Sequence, residues 1–284
     1  MPDTPRWGAD DELGTLHYIT DTVRTRALAA ARTGRTVSLA RAVHPRPAPV
    51  GPGAATDGEA AWQQSMLYTG TPPAAIAEQW TITPHHPAIT HLDALSHIIV
   101  DGTVYPGVPV EDRVTPAGVT TGSTAVFGAG ILTRGVFLDL APGARLADGY
   151  PITARTLDTA TRAADTTVQS GDAIVVRTGC DPVNPNRAAM PGLDRSAVAW
   201  LDERRISVWV GDTGDAWPPL DPTDPMPLHR RGLHDLGLPL VDSADLEALT
   251  STCAETGRNS FLLLLAPPRI HGASGTPVNP IAVF

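Results

Sequence analysis

Thr90-His91-Leu92-Asp93-Ala94-Leu95-Ser96-His97 reads as T-H-x-D-x-x-x-H. In an extended chain, alternate side chains share a face. A strand over 91–97 would therefore set His91, Asp93, Leu95 and His97 on one side, and Leu92, Ala94 and Ile98 on the other. Same-side neighbours in a strand sit about 6.6 Å apart, close enough for an imidazole and a carboxylate to converge on one ion. A helix would put His91 and His97 on different faces. The pattern predicts a strand with one polar face turned to a site, and its donors suit a divalent metal such as Zn or Mn. The competing reading of any single histidine is packing or solvent exposure. Two histidines and an aspartate in so short a run, with Pro84-His85-His86-Pro87 just upstream, keep a metal or catalytic site beside it.

Outward from this stretch, Gln79–Thr83 reads as a strand leading in, and Asp101-Gly102 as the turn leading out. Before it, residues 6–19 read as an irregular segment with turns at Gly8 and Gly14. Thr20 caps a helix expected through about Arg32, with Gly34 as its stop, and Thr36–Ala42 reads as a strand. After it, strands are expected at Thr124–Phe127, Gly135–Leu140, Ala173–Thr178, Ser207–Gly211 and Phe261–Ala266. Helices are expected at about 154–167 (capped by Thr153), 194–204, 227–237 and 243–256. Strands and helices alternate in the second half, so the class is α/β or α+β.

The 284 residues suffice for one large domain or two small ones. No repeat or clean boundary divides them, and a single domain over 1–284 is expected. It would carry an N-terminal arm (about 1–35) and a Pro/Gly-rich loop (about 44–58) that is either mobile or part of a site wall. Apolar residues make up 42%, ordinary for a soluble protein with a substantial core. The net charge of −9 argues against nucleic acid as a partner. No stretch approaches a membrane span, since Phe261–Ala266 is far too short, and Met1–Arg6 lacks a signal peptide's apolar core. Cys180 and Cys253 make no disulfide framework and fit a cytoplasmic location; each reads as a small apolar residue or as a reactive thiol. All 21 basic residues are arginine. The lack of lysine excludes a Schiff-base lysine and a Walker A loop. Arginine bias with abundant Ala, Pro and Thr also suggests a GC-rich, actinobacterial genome.

Further polar residues have two readings each. His229 opens an expected helix after a Pro-rich run, and is either a partly exposed helix histidine or part of a site. Asp242 is either the N-cap of the next helix or an acid of the site. Asp212 and Asp215 follow the strand Ser207–Gly211, where loop residues often face an α/β site, but turn formation is their simpler role. Trp7, Trp62, Trp80 and Trp217 either pack in the core or line a pocket for an aromatic substrate. Neither G-x-G-x-x-G, G-x-S-x-G nor H-E-x-x-H occurs, so a dinucleotide fold, an α/β-hydrolase and a zincin lack support.

At His91–His97 the chain resembles the cyclase family that includes bacterial kynurenine formamidase and isatin hydrolase, with its motif H-x-G-T-H-x-D-x-P-x-H. The likeness extends over nearly the whole chain and points to the family's longer bacterial branch. It is carried by Arg6-Trp7-Gly8 through Gly14-Thr15-Leu16, His97-Ile98-Ile99-Val100-Asp101-Gly102 and Arg134–Asp139. Gly171-Asp172 through Arg177-Thr178-Gly179 and Gly275–Ala282 add to it. The resemblance implies a swivelling β/β/α domain, usually in a homodimer or higher homo-oligomer, acting on a small molecule. It implies His91 and Asp93 as metal ligands, with Asp93 able to bridge two ions, and His97 as the proton-transfer histidine with help from Asp93. It also implies His229 as a later ligand, with Asp242 near the position of a ligand glutamate. The motif's first His falls on Pro87, so His85 or His86 must replace it across a longer loop. The motif's Gly and Pro are absent, with Ala88, Ile89 and Leu95 in that region. Asp242 is one methylene shorter than glutamate. One Zn or Mn is therefore expected over two, and a metal-free site stays open. The implied chemistry is hydrolysis of an amide, formamide, cyclic amide or lactone, or ring closure in secondary (polyketide-type) metabolism. Trp7, Trp80 and Trp217 are the aromatic candidates for binding substrate.

Overall fold

The computed structural model describes residues 6–47, 61–184 and 188–284. Residues 1–5 of the expected arm and 48–58 of the expected loop lie outside the described residues. The architecture is a nine-stranded curled sheet with helices packed on it, a mixed α/β arrangement.

Four parallel strands form its middle: Ile131–Asp139, Ala173–Arg177, Val208–Gly211 and Leu240–Asp242. Their sequences are near-continuous apolar runs because both faces are covered. Ala173, Ile174, Val175, Val176, Val208, Trp209 and Val210 are all fully buried. Antiparallel strands extend the sheet both ways. Ser260–Leu265, Ile281–Val283 and Thr36–Ser38 lie beyond Ile131–Asp139. His91–Asp93 and Gly275–Pro277 lie beyond Leu240–Asp242.

The helix Asp21–Leu28 packs on the strands Ile131–Asp139 and Ser260–Leu265, and the helices Ala154–Ala163 and Arg195–Glu203 pack on each other. Their starts follow capping chemistry. Thr20, Thr153 and Asp194 each accept an N–H from the first turn, and Thr153 forms a reciprocal box with Thr156. No helix among the described residues is long and apolar enough to cross a membrane. Both cysteines are buried and unpaired, and burial pushes the Cys253 thiol up to about 12.

Several expectations are corrected. Thr124–Phe127 forms a 3-10 helix, not a strand. This short apolar run lies between Gly122 and Gly128, and the bond from Thr124 N–H to Ala273 O ties it to a loop instead of a ladder. The irregular arm contains a 3-10 helix over Gly14–Tyr18. The strand near 36–42 stops at Ser38, because Ile281–Val283 pairs only that far. The last long helix is Glu247–Thr256, so it starts later than expected and Asp242 does not cap it. Asp242 ends a strand instead. The stretch around residue 93 is extended only over His91–Asp93. The backbone then turns, closed by His97 N–H donating to Ala94 O, so His97 is placed by a turn and not by strand alternation. The strand Trp62–Thr69, which pairs with Ala75–Ile82 as a hairpin, was not expected.

Candidate active site

Sheet register assembles the first three side chains. Asp242 pairs with His91, and Leu92 with Val241. Directly opposed residues share a face, so His91, Asp93 and Asp242 point to one side. Leu92 and Val241 point to the other and are fully buried. The apolar side anchors the strand, and the polar side faces a site at the carboxyl ends of the parallel strands, where open α/β sheets bind their ligands.

Asp93 is the centre. Its side chain is 0% exposed, yet neither oxygen has a hydrogen-bond partner. Imidazole nitrogens approach instead. His85 Nδ1 lies 2.9 Å from Oδ1, His91 Nε2 lies 3.6 Å from Oδ1, and His229 Nε2 lies 3.4 Å from Oδ2. His229 Nε2 is also 3.5 Å from Asp242 Oδ2. His97 stacks on His85 with centroids 3.7 Å apart and lies edge-on to His229 at 6.1 Å. Two sets of donors result, His85–His91–Asp93 and Asp93–His97–His229, with the donor atoms of each within 4.8 Å of one another.

Two hydrogen bonds assign the ring protons. His91 Nδ1 faces the Ile89 carbonyl at 2.8 Å, which only accepts, so Nδ1 carries hydrogen and Nε2 is turned to Asp93. His229 Nδ1 donates to Asp215 Oδ2 at 2.7 Å and likewise turns Nε2 inward. Asp215 also accepts Leu228 N–H at 2.9 Å and His229 N–H at 3.1 Å. It therefore satisfies the first turn of the π-helical segment Leu228–Asp235 while orienting the imidazole.

Burial alone would raise the Asp93 carboxyl pKa, but His229, His85, His97 and His91 outweigh it and hold the group well below the carboxylate range. Burial pushes His97 down to about 4, aided by His85, His229 and His91 and opposed by Asp93, so its imidazole is neutral at pH 7. Burial also opposes charge on His229, but Asp215, Asp93 and Asp242 win and hold its pKa well above the histidine value. Asp242 is raised by burial and by Asp93, against the pull of His229.

The side chains present fit a divalent cation. A buried carboxylate with neither oxygen hydrogen-bonded is costly, and a cation among the surrounding imidazoles would satisfy it. Imidazole with carboxylate suits Zn and Mn. The backbone leaves room for these side chains. A Cβ on Gly275 would lie 2.3 Å from His85 Cε1 and 2.6 Å from Nε2. A Cβ on Gly214 would lie 2.7 Å from Asp242 Oδ2.

The expected residues distribute as follows. His85, His91, Asp93, His97, His229 and Asp242 come together. His86 does not: its Nδ1 accepts Ala88 N–H at 3.0 Å, and it shapes the turn that delivers His85. Trp7 packs on His17 and Tyr18 in the arm. Trp80 lies edge-on to Trp62, and Trp217 is 68% exposed two residues past Asp215. None of these three has a ring contact or hydrogen bond to the imidazole cluster among the described residues. Asp212 and Asp215 do more than make a turn. Asp212 accepts Thr178 N–H, Thr178 Oγ–H and Gly179 N–H, tying the loop root to the neighbouring strand end. Asp215 and Gly275 were missed as site residues; the one signal for Asp215 was its place just past a strand end.

Two outcomes follow. Asp215→Ala is expected to weaken Zn or Mn binding by about 10–100-fold, read by competition with a chromogenic chelator. Gly275→Ala is expected to push His85 aside while the sheet persists. The bound ion should fall or loosen by elemental analysis, with an unchanged circular dichroism spectrum.

A family model described as "Putative cyclase" matches residues 2–216. A solved structure of a novel cyclase is 29% identical, with a TM-score of 0.83 over 98% of this chain and 96% of that one. Isatin hydrolase A from Labrenzia aggregata, bound to benzyl benzoate, is 21% identical, with a TM-score of 0.64 over 91% of this chain and 97% of that one. A "predicted metal-dependent hydrolase" from Bacillus stearothermophilus is 14% identical, with a TM-score of 0.51 over 87% and 97%. At these last two identities the likeness is one of fold. No curated protein matches the sequence.

Proposed function

The chain belongs to the cyclase family, and on that footing we propose that it is a metal-dependent hydrolase of a carbonyl compound: an amide, formamide, cyclic amide or lactone. It is an enzyme, as its family and structural neighbours indicate. The observation that carries the proposal is the fully buried Asp93 carboxylate, with neither oxygen hydrogen-bonded, ringed by His85, His91, His97 and His229. His85, His91, Asp93 and His229 would hold the ion, with Asp242 beside His229.

A divalent ion there lowers the pKa of a water toward 7 and polarises a substrate carbonyl. The protein's own groups do the rest. His97, neutral at pH 7, accepts the proton of the attacking water and returns it to the leaving nitrogen or oxygen. Asp215 keeps the His229 Nδ1 proton in place, so Nε2 stays directed at Asp93. To hold an ion, His229 would have to give up the Nε2 proton that its carboxylate neighbours favour, so binding would tighten as pH rises.

A second reading is a biosynthetic cyclase that closes a ring of polyketide type, with metal optional. It is favoured by the internal charge balance of the cluster, in which protonated His229 lies between Asp93, Asp242 and Asp215. An internal nucleophile would then replace water, with His97 and Asp93 moving the proton.

The deciding experiment combines elemental analysis with assays on N-formyl anilides, isatin-type lactams and lactones, before and after chelation. Stoichiometric Zn or Mn, with hydrolysis lost on chelation and regained on re-addition, supports the hydrolase. Metal-free protein that still cyclises a linear precursor supports the second reading and overturns the first.

A further inference from the structure

The histidines of the cluster are not oriented alike. His91 and His229 each have a ring nitrogen fixed by a hydrogen bond, to Ile89 O and to Asp215. The His97 ring has no hydrogen bond among the described residues. Its stack on His85 and the backbone beneath it are what hold it. That backbone turns over Ala94–His97, closed by His97 N–H donating to Ala94 O at 2.9 Å. Where the turn goes, the ring goes.

The turn is fastened from outside. Ser96 is buried, and its Oγ–H donates to Gly122 O at 2.9 Å. Gly122 stands against it: a Cβ on Gly122 would lie 3.8 Å from Ser96 Cβ and 3.9 Å from Ser96 N. Its φ of +65° suits glycine and few other residues. The N–H of the same glycine donates to Glu12 Oε2 at 2.6 Å, a charge-assisted bond. Glu12 is itself held on both sides. Asp11 Oδ2 accepts Tyr105 Oη–H at 2.6 Å and Gly14 N–H at 2.7 Å. Thr15 N–H donates to Gly237 O at 2.9 Å, and its Oγ–H to Ser207 O at 2.8 Å. A Cβ on Gly14 would fall 1.9 Å from Gly237 O, so the arm lies flush against the body of the fold here.

We propose that Glu12 is a positioning residue for His97, acting through Gly122 and Ser96. The inference rests on the reading of His97 as the group that moves the proton. Glu12 belongs to neither donor set of the cluster. It holds Gly122, Gly122 holds Ser96, and Ser96 holds the turn from which His97 projects toward Asp93 and His229. Proton transfer depends steeply on placement, and a displacement of about 1 Å costs on the order of a hundredfold.

The test compares Glu12→Ala, Ser96→Ala and their double variant with two controls. Glu12→Gln keeps an oxygen that accepts Gly122 N–H. Arg6→Ala cuts the arm's outer ion pair to Asp202 and leaves Glu12 alone. Each alanine variant at 12 or 96 is expected to lower kcat by about 10–100-fold, with KM and bound metal unchanged. The double variant should fall no further than the worse single one, as links of one chain do. Glu12→Gln should keep most of kcat, and Arg6→Ala all of it, since an exposed ion pair contributes little. Nuclear magnetic resonance of protein labelled in its histidine rings needs no substrate. The His97 signal, assigned by its loss in His97→Gln, should shift in both alanine variants while that of His91 stays. If Glu12→Ala does not fold, Glu12→Asp, one methylene short of Gly122, replaces it. An unmoved His97 signal, an Arg6→Ala loss as large as that of Glu12→Ala, or losses that add in the double variant would each overturn the proposal. A His97 signal that moves while kcat holds leaves the positioning standing and removes His97 as the proton carrier.

Discussion

Asp93→Asn is expected to strip the protein of its divalent ion and cut turnover by about a thousandfold or more. The substitution keeps the shape of the side chain and removes the one charge shared by both donor sets. Water activation and carbonyl polarisation are together worth several kcal/mol, and about 4 kcal/mol of barrier already corresponds to a thousandfold. The loss should also appear without any substrate. An ion that binds only the folded wild type at a thousand times its Kd stabilises it by about 4 kcal/mol. Added Zn or Mn should therefore raise the melting temperature of the wild type and leave the variant where it was. Retained metal stoichiometry in the variant would place the ion elsewhere and undo the assignment of Asp93.

His97→Ala separates two roles that geometry allows for the same ring. His97 shares a donor set with Asp93 and His229, yet it also stacks on His85 with a pKa held down at about 4. As the proton carrier, its loss lowers kcat by about 10²–10⁴-fold with metal content unchanged. KM should move little, and the wild type's pH limb for this group should flatten. The paired readout is elemental analysis on the same preparation. Loss of metal in step with activity would make His97 a ligand and leave the proton transfer to another group.

Much of this site was legible before any coordinates. His91 and Asp93 stand two residues apart, and a strand of even three residues puts them on one face, because alternation is a local property of the backbone. The caps at Thr20 and Thr153 were readable for the same reason, as each bond spans three residues. Asp242 shows the limit. Locally it is a good helix cap, and the helix begins five residues later. Its place in the cluster comes from antiparallel pairing with His91, a residue far away in the chain. His97 arrived in the cluster by a turn where a strand was expected, so a correct neighbour was reached through the wrong geometry.

The aromatic residues illustrate the same division. Trp80 and Trp217 could be read as core or pocket, and the fold leaves both largely exposed without contact to the imidazoles.

The amino-acid order by itself determined the α/β class and the histidine–aspartate motif, since these rest on short-range periodicity and near-neighbour spacing, and the family came from the likeness of that motif and its flanking segments to a known one. Tertiary structure alone decided that His85 and not His86 turns inward, that Asp215 holds the His229 ring, that Gly275 leaves space for His85, and that Asp242 stands opposite His91. Each of these depends on backbone segments brought together across long stretches of chain. Their placement is set by burial of the apolar faces behind them, Leu92 and Val241 among others, and not by any residue's immediate neighbours.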